Sequence, residues 1–169
     1  MKIITEGKLV FSFESDQAVK YDDWSFYRNQ LTNAFGKAKA VDLIFIDEDD
    51  AWLIEVKDYR HNKRTKPSDL AVEIAEKIRD TLAGLAVAQK NSSEAEERAF
   101  ARDCMKKKFR VVLHLEQPAT GSRLFPRIAE PDDLSKKLKQ LLKAVDAHPV
   151  VVDQKTIKNR LGWSVSNAL

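Results

Sequence analysis

The sequence predicts a mixed α/β fold with α+β character, in which a central mixed β-sheet is flanked by helices. Short β-branched and aromatic runs at residues 41–46, 51–57 and 109–115 have the composition and length of strands. Apolar stripes at helical spacing lie between and after them, so strands and helices alternate along the chain. The length, 169 residues, suits one core, and a single domain over residues 1–169 is expected.

Ile3 and Ile4 before Gly7, with Leu9, Val10, Phe11 and Phe13 after it, give the pattern of a β-hairpin. From Ser15 or Asp16, the residues Val19, Phe26, Tyr27, Leu31, Ala34 and Phe35 recur at near-helical spacing. Gly36 supplies a stop, so a first helix is expected there. Residues 41–46 and 51–57 flank the acidic cluster 47–50 and should form an antiparallel hairpin. A polar, basic loop at 58–67 leads to Ser68 as a helix cap and to a stripe of Ala71, Ile74, Ala75, Ile78, Leu82, Leu85 and Ala86 that packs on the sheet.

A charged helical stretch around 91–108 then feeds the strand at 109–115. Residues 117–131 carry Pro118, Gly121, Pro126 and Pro131 and read as an irregular surface connection. Leu134, Leu138, Leu141, Leu142 and Val145 mark an amphipathic helix, and residues 149–152 a short final strand.

Hydrophobic residues at 43% and charged residues at 33% exclude a disordered or low-complexity chain. A net charge of +3 permits a phosphate-rich partner without demanding one. The lone Cys104 fits a reducing compartment, and neither a signal peptide nor an apolar run long enough for a membrane span stands out. A cytoplasmic protein without a membrane partner is therefore expected. His61, His114 and His148 lack zinc-ligand spacing, and the five glycines form no phosphate loop. Cys104 on a charged helix reads as a structural thiol.

The informative segment is 41–57. Trp52, Ile54 and Val56 share one face of their strand, which leaves Leu53, Glu55 and Lys57 on the other. If residues 47–50 make the turn, Ile46 pairs with Ala51 and Asp42 falls opposite Glu55 on the same face. Opposed carboxylates repel unless a cation lies between them, and Mg²⁺, with Mn²⁺ as a substitute, is the natural candidate. The backbone carbonyl of Val56 offers a further oxygen. Such an ion would lower the pKa of a water and neutralise charge growing on phosphorus, with Lys57 orienting the nucleophile or stabilising the transition state. The competing reading is an exposed cross-strand charge set.

With Asp42 and Glu55-Val56-Lys57 in this order, the sequence resembles the PD-(D/E)XK phosphodiesterase superfamily over residues 16–90. The resemblance implies a restriction-endonuclease-like αβββαβ core and a metal-dependent nuclease with Asp42, Glu55 and Lys57 as catalytic residues. It implies Asp22, Asp42, Glu55 and Val56 as metal ligands, and DNA ahead of RNA as substrate. For the acid that the family carries on its first helix, Asp22 shares the face of Val19 and Phe26 and is preferred to Asp23. Val41 stands where the family pattern has Pro, and this helix acid is Asp where Glu is common.

Tyr59, Arg60, Lys63, Arg64 and Lys66, with His61 among them, follow Lys57 directly and form a candidate grip for a nucleic-acid backbone, or else a solvated loop. Trp163, preceded by Lys155, Lys158 and Arg160, reads either as a packed strand residue or as an aromatic offered to a base. A homodimer or a partner protein would supply target recognition. The alternative function is a catalytically inactive nuclease-fold binding or scaffold protein in a DNA-processing or defence complex.

Overall fold

The computed structural model describes residues 1–157 and 161–168, so Lys158 and Arg160 lie outside the described residues. Strands β1 (Lys2–Glu6) and β2 (Leu9–Phe13) form the expected hairpin, and Gly7 turns it at a φ of +57° that favours glycine. β3 (Ala18–Lys20), β4 (Leu43–Ile46) and β5 (Asp50–Asp58) make an antiparallel meander. Helices α1 (Leu70–Asn91) and α2 (Ala95–Cys104) then carry the chain back to β6 (Lys108–Glu116), which runs parallel to β5 along its whole length. α3 (Pro131–Leu142) precedes β7 (Val150–Val152), parallel to β6, and β8 (Trp163–Asn167) closes on β2.

The mixed five-stranded sheet β3-β4-β5-β6-β7 is the centre of the molecule. Alternation along β5 decides its two faces: Ala51 and Leu53 enter the core under α1, α2 and α3, while Trp52 and Ile54 enter a second core. That second core is shared with Leu9, Phe11, Phe13 and Trp163, so the small sheet β1-β2-β8 covers the face opposite the helices. No helix of the described residues is long and apolar enough to cross a membrane.

The first helix expected from Ser15 to Gly36 does not form. Ala18–Lys20 is a strand on the edge of β4, followed by a 3₁₀ turn (Tyr21–Asp23), a π-helical turn (Tyr27–Leu31) and a second 3₁₀ turn (Ala34–Gly36). The sheet edge wins because β4 offers this segment backbone partners, pairing Ala18 with Phe45 and Lys20 with Leu43. Trp24, with ψ at 135°, then breaks any helix running through Asp22. Glu97 of α2 accepts from the N–H groups of Ser25 (2.7 Å) and Phe26 (3.2 Å) and pins the following turn.

Two smaller expectations change. Asp69, not Ser68, caps α1, its carboxylate accepting from Ala71 (2.9 Å) and Val72 (3.4 Å). The strand at Val150–Val152 is not the last, because β8 follows it. Gly84 of α1 allows a close approach, since a Cβ there would lie 2.2 Å from Tyr21 Oη and 2.9 Å from Leu31 Cδ1. Tyr21 therefore lies flush against the helix, which sets the position of Asp22 beside it.

Candidate functional site

The register of β4 on β5 pairs Ile46 with Ala51 and Leu43 with Ile54, so one step further Asp42 stands opposite Glu55. Asp42 Oδ2 accepts the backbone N–H of Val56 at 2.7 Å, and the Asp42 carbonyl accepts the N–H of Tyr21 at 2.9 Å. The acid thus sits where three strands converge. Val56 meets it through its N–H, and the Val56 side chain packs in the core under the small sheet.

Glu55 is fully buried. Its Oε1 takes Lys57 Nζ at 2.7 Å and Lys77 Nζ at 2.6 Å, while its Oε2 is buried without a partner among the described residues. Lys77 Nζ also lies 3.8 Å from Asp42 Oδ1, which places one ammonium between the opposed carboxylates. Lys57 is held from its other side by Glu73, 3.5 Å away. Glu73 in turn receives Arg64 at 3.0 Å and Lys66 at 3.1 Å.

Glu73 and Lys77 were missed by sequence reasoning. Their i, i+4 spacing resembles an ordinary surface ion pair, but it also puts both beside the inward stripe of α1 next to Ile74 and Ile78.

The electrostatics divide this cluster in two. Burial pushes the Asp42 carboxyl up to about 7, and Glu55 reinforces the shift against the opposing pull of Lys77 and the Val56 N–H. Asp22 is pushed up to about 6 by burial and then by Asp42, and its Oδ1 is buried without a partner among the described residues. For Glu73, burial alone would raise the pKa, but Arg64, Lys66 and Lys57 overcome it and hold the group at about 2. Burial likewise works against the charge on Lys57, and Glu55 reverses that and raises its pKa. Cations are therefore gathered on Glu55 and Glu73, while Asp42 and Asp22 at the cleft keep their protons to higher pH than ordinary carboxyls.

That cleft, about 790 Å³, is lined by Asp22, Asp42 and Lys77 together with Arg28, Lys37 and Lys39. Of the two candidate acids, Asp22 lines it, whereas Asp23 pairs with Arg28 and stands 3.8 Å from Lys20. The basic loop after Lys57 is itself tied down. Arg60 is clamped on Asp58 at 2.7 and 2.9 Å and donates to Asn167, and Arg64 donates to Tyr59 Oη at 3.0 Å as well as to Glu73. Lys66 is exposed but reaches back to Glu73, and Lys63 is exposed.

Hard oxygen donors suit Mg²⁺ or Mn²⁺, and the unpartnered buried atoms Asp22 Oδ1 and Glu55 Oε2 fit such an ion chemically. Asp22, Asp42, Glu55 and the Val56 carbonyl are the groups expected to hold it; of these, Asp22 and Asp42 line the cleft and Glu55 is fully buried. Among the described residues no three His, Cys, Asp or Glu side chains stand as a ready-made set, and Lys77 occupies the space between two of these donors.

Trp163 is buried and packs edge-on to Phe45 and Trp52, so it is a core residue and is not offered to a base. Cys104 is buried, which pushes its thiol up to about 12, as expected of a structural cysteine. His114 is a buried strand residue bonded to Glu116 at 3.0 Å.

No family model matches the chain, and no solved structure matches it. Across 98% of its length the chain is 35% identical to a cysteine–tRNA ligase of Neisseria meningitidis serogroup A. The match spans 30% of that ligase, so the chain is similar to one part of a much longer protein.

Proposed function

We propose that the protein is a metal-dependent nuclease that hydrolyses nucleic-acid phosphodiester bonds, with Asp22, Asp42, Glu55 and the Val56 carbonyl holding Mg²⁺ or Mn²⁺ and Lys57 beside the nucleophile. The observation that carries this reading is the opposition of Asp42, which lines the cleft, to the fully buried Glu55, with Lys57 on the same buried carboxylate. The order of meander β3-β4-β5, helix α1 and parallel strand β6 supports it, since the resemblance implies that order after a leading helix. A bound ion would supply Lewis-acid activation of phosphate and a water of lowered pKa.

The chain's own residues supply the rest. Lys57, fixed between Glu55 and Glu73, presents a charge that stays protonated at neutral pH and stabilises growing negative charge. Lys37 offers the cleft wall a cation for a polyanion, while Arg28 and Lys39 beside it are paired with Asp23 and Glu76. DNA is the first substrate to test, and RNA the second because the matched relative is named for a reaction on tRNA. A cytoplasmic setting and target recognition through a homodimer or partner protein complete the proposal.

The second reading, a catalytically inactive binding or scaffold protein of the same fold, is favoured by Lys77, whose ammonium already neutralises the opposed acids. Cleavage of single- and double-stranded DNA and RNA with Mg²⁺ or Mn²⁺ decides between them, comparing the wild type with Lys57→Ala under matched folding checks. Metal-dependent cutting that is lost in the variant supports the nuclease. Nucleic-acid binding without turnover at every metal concentration supports the scaffold.

A further inference from the structure

We propose that Lys77 is a displaceable occupant of the cation position, holding Asp42 and Glu55 together in the metal-free protein and leaving when a divalent ion enters. The inference rests on the metal-dependent reading above and assigns that site its control element.

The two lysines on Glu55 are not equivalent. Lys57 is anchored by acids on both sides, Glu55 at 2.7 Å and Glu73 at 3.5 Å, and so has no reason to move. Among the described residues the ion-pair partners of Lys77 are instead groups that a metal ion would claim, Glu55 Oε1 at 2.6 Å and Asp42 Oδ1 at 3.8 Å. Removing Lys77 from Glu55 leaves that carboxylate with Lys57, whereas removing Lys57 would also strip Glu73 of a neighbour.

Lys77 also has somewhere to go. Its side chain is 17% exposed and lines the open cleft, and its four-carbon stem lets the ammonium swing out without disturbing α1. An ammonium and a divalent cation within one pair of carboxylates repel each other, so the two occupants exclude one another. The displaced charge joins Lys37 on the wall that a phosphate backbone would follow. Ion entry therefore replaces one of the two ammonium contacts of Glu55 Oε1, leaving Lys57 in place, and adds a cation to the cleft wall.

The test is titration of Mn²⁺ into the wild type and Lys77→Met, followed by calorimetry. A resident competitor weakens apparent affinity by the fraction of time it is bound, so the variant should bind Mn²⁺ about tenfold more tightly. Equal or weaker binding by the variant, with binding by the wild type intact, overturns the role of Lys77 and leaves the metal site standing. Absence of Mn²⁺ binding in both overturns the metal-dependent reading itself.

Should Lys77→Met fail to fold, the wild type alone suffices. Labelling by an amine-reactive ester, read by mass spectrometry, should rise at Lys77 and not at Lys57 when Mn²⁺ is added. Unchanged labelling of Lys77 at Mn²⁺ concentrations where calorimetry shows binding overturns the proposal.

Discussion

The backbone N–H of Val56 donates to Asp42 Oδ2 at 2.7 Å, so a proposed metal ligand also ties the entrance of β4 to β5. The two roles separate by substitution. Asp42→Asn keeps an oxygen for Val56 but loses the charge, and should fold with stability at pH 8 no lower than wild type while losing Mn²⁺-dependent cleavage. Asp42→Ala also loses the acceptor and should be about 1 kcal/mol less stable than Asp42→Asn in urea unfolding. Cleavage by Asp42→Asn at the wild-type rate would remove Asp42 from the site.

Stability should fall as pH rises through neutrality in the presence of a chelator. Asp42 goes from 3.8 unfolded to about 7 folded, and Asp22 from 3.8 to about 6. The folded state then binds more protons than the unfolded state across that interval, and the slope of unfolding free energy with pH is negative. Glu73 acts in the opposite sense and at lower pH, its contribution present above 4.5 and lost as pH falls through about 2. Thermal melts from pH 5 to pH 8 should show a declining Tm for the wild type and a flatter line for Asp42→Asn, and parallel lines would contradict the assignment.

Gly84→Ala should destabilise the protein although alanine is the better helix former by about 1 kcal/mol. The new methyl would meet Tyr21 Oη at 2.2 Å and Leu31 Cδ1 at 2.9 Å, and overpacking of this kind costs about 1–3 kcal/mol. Tyr21 Oη is buried without a partner, so Tyr21→Phe should be nearly neutral alone and recover part of the loss in the double variant. Additive effects in a double-mutant cycle would show that the contact is not the cause.

The cleft wall and the basic loop make different predictions for nucleic-acid binding. Lys37→Glu, on the wall beside Asp22 and Asp42, should weaken binding of a labelled oligonucleotide about tenfold and reduce its salt dependence by about one contact. Lys63→Glu, exposed on the loop, should change affinity by about twofold or less. Fluorescence anisotropy across a salt series measures both, and the reverse ranking would return the grip to the loop.

The hairpin carrying Asp42, Glu55 and Lys57 was legible because period-two alternation and a short acidic turn fix register within a stretch of local sequence. The segment from Ala18 to Gly36 was not. Val19 and Phe26 match helical spacing, but the partner that makes Ala18–Lys20 a strand is β4, more than twenty residues away. Asp22 still reaches the cleft, delivered by a strand and a turn in place of a helix. Lys77 and Glu73 escaped notice because their charges look solvated in sequence, and only the packing of α1 on the sheet turns them toward Glu55 and Lys57. Arg64 failed in the converse way: in sequence it reads as a free cation, and in the fold it is spent on Tyr59 and Glu73.

The pairing of β2 with β8, which joins residues 9–13 to residues 163–167, sets an order of assembly. Contacts separated by most of the chain carry the largest closure entropy, whereas β4 and β5 meet across a tight turn. The acidic hairpin can therefore nucleate early, and the small sheet closes last over a floor that the five strands have already built. With Trp24 and Trp52 replaced by Phe, the fluorescence of Trp163, packed against Phe13 and Phe45, would time that closing step. Damage to β8 should consequently shorten the lifetime of the folded protein by speeding its unfolding and leave the folding rate nearly untouched.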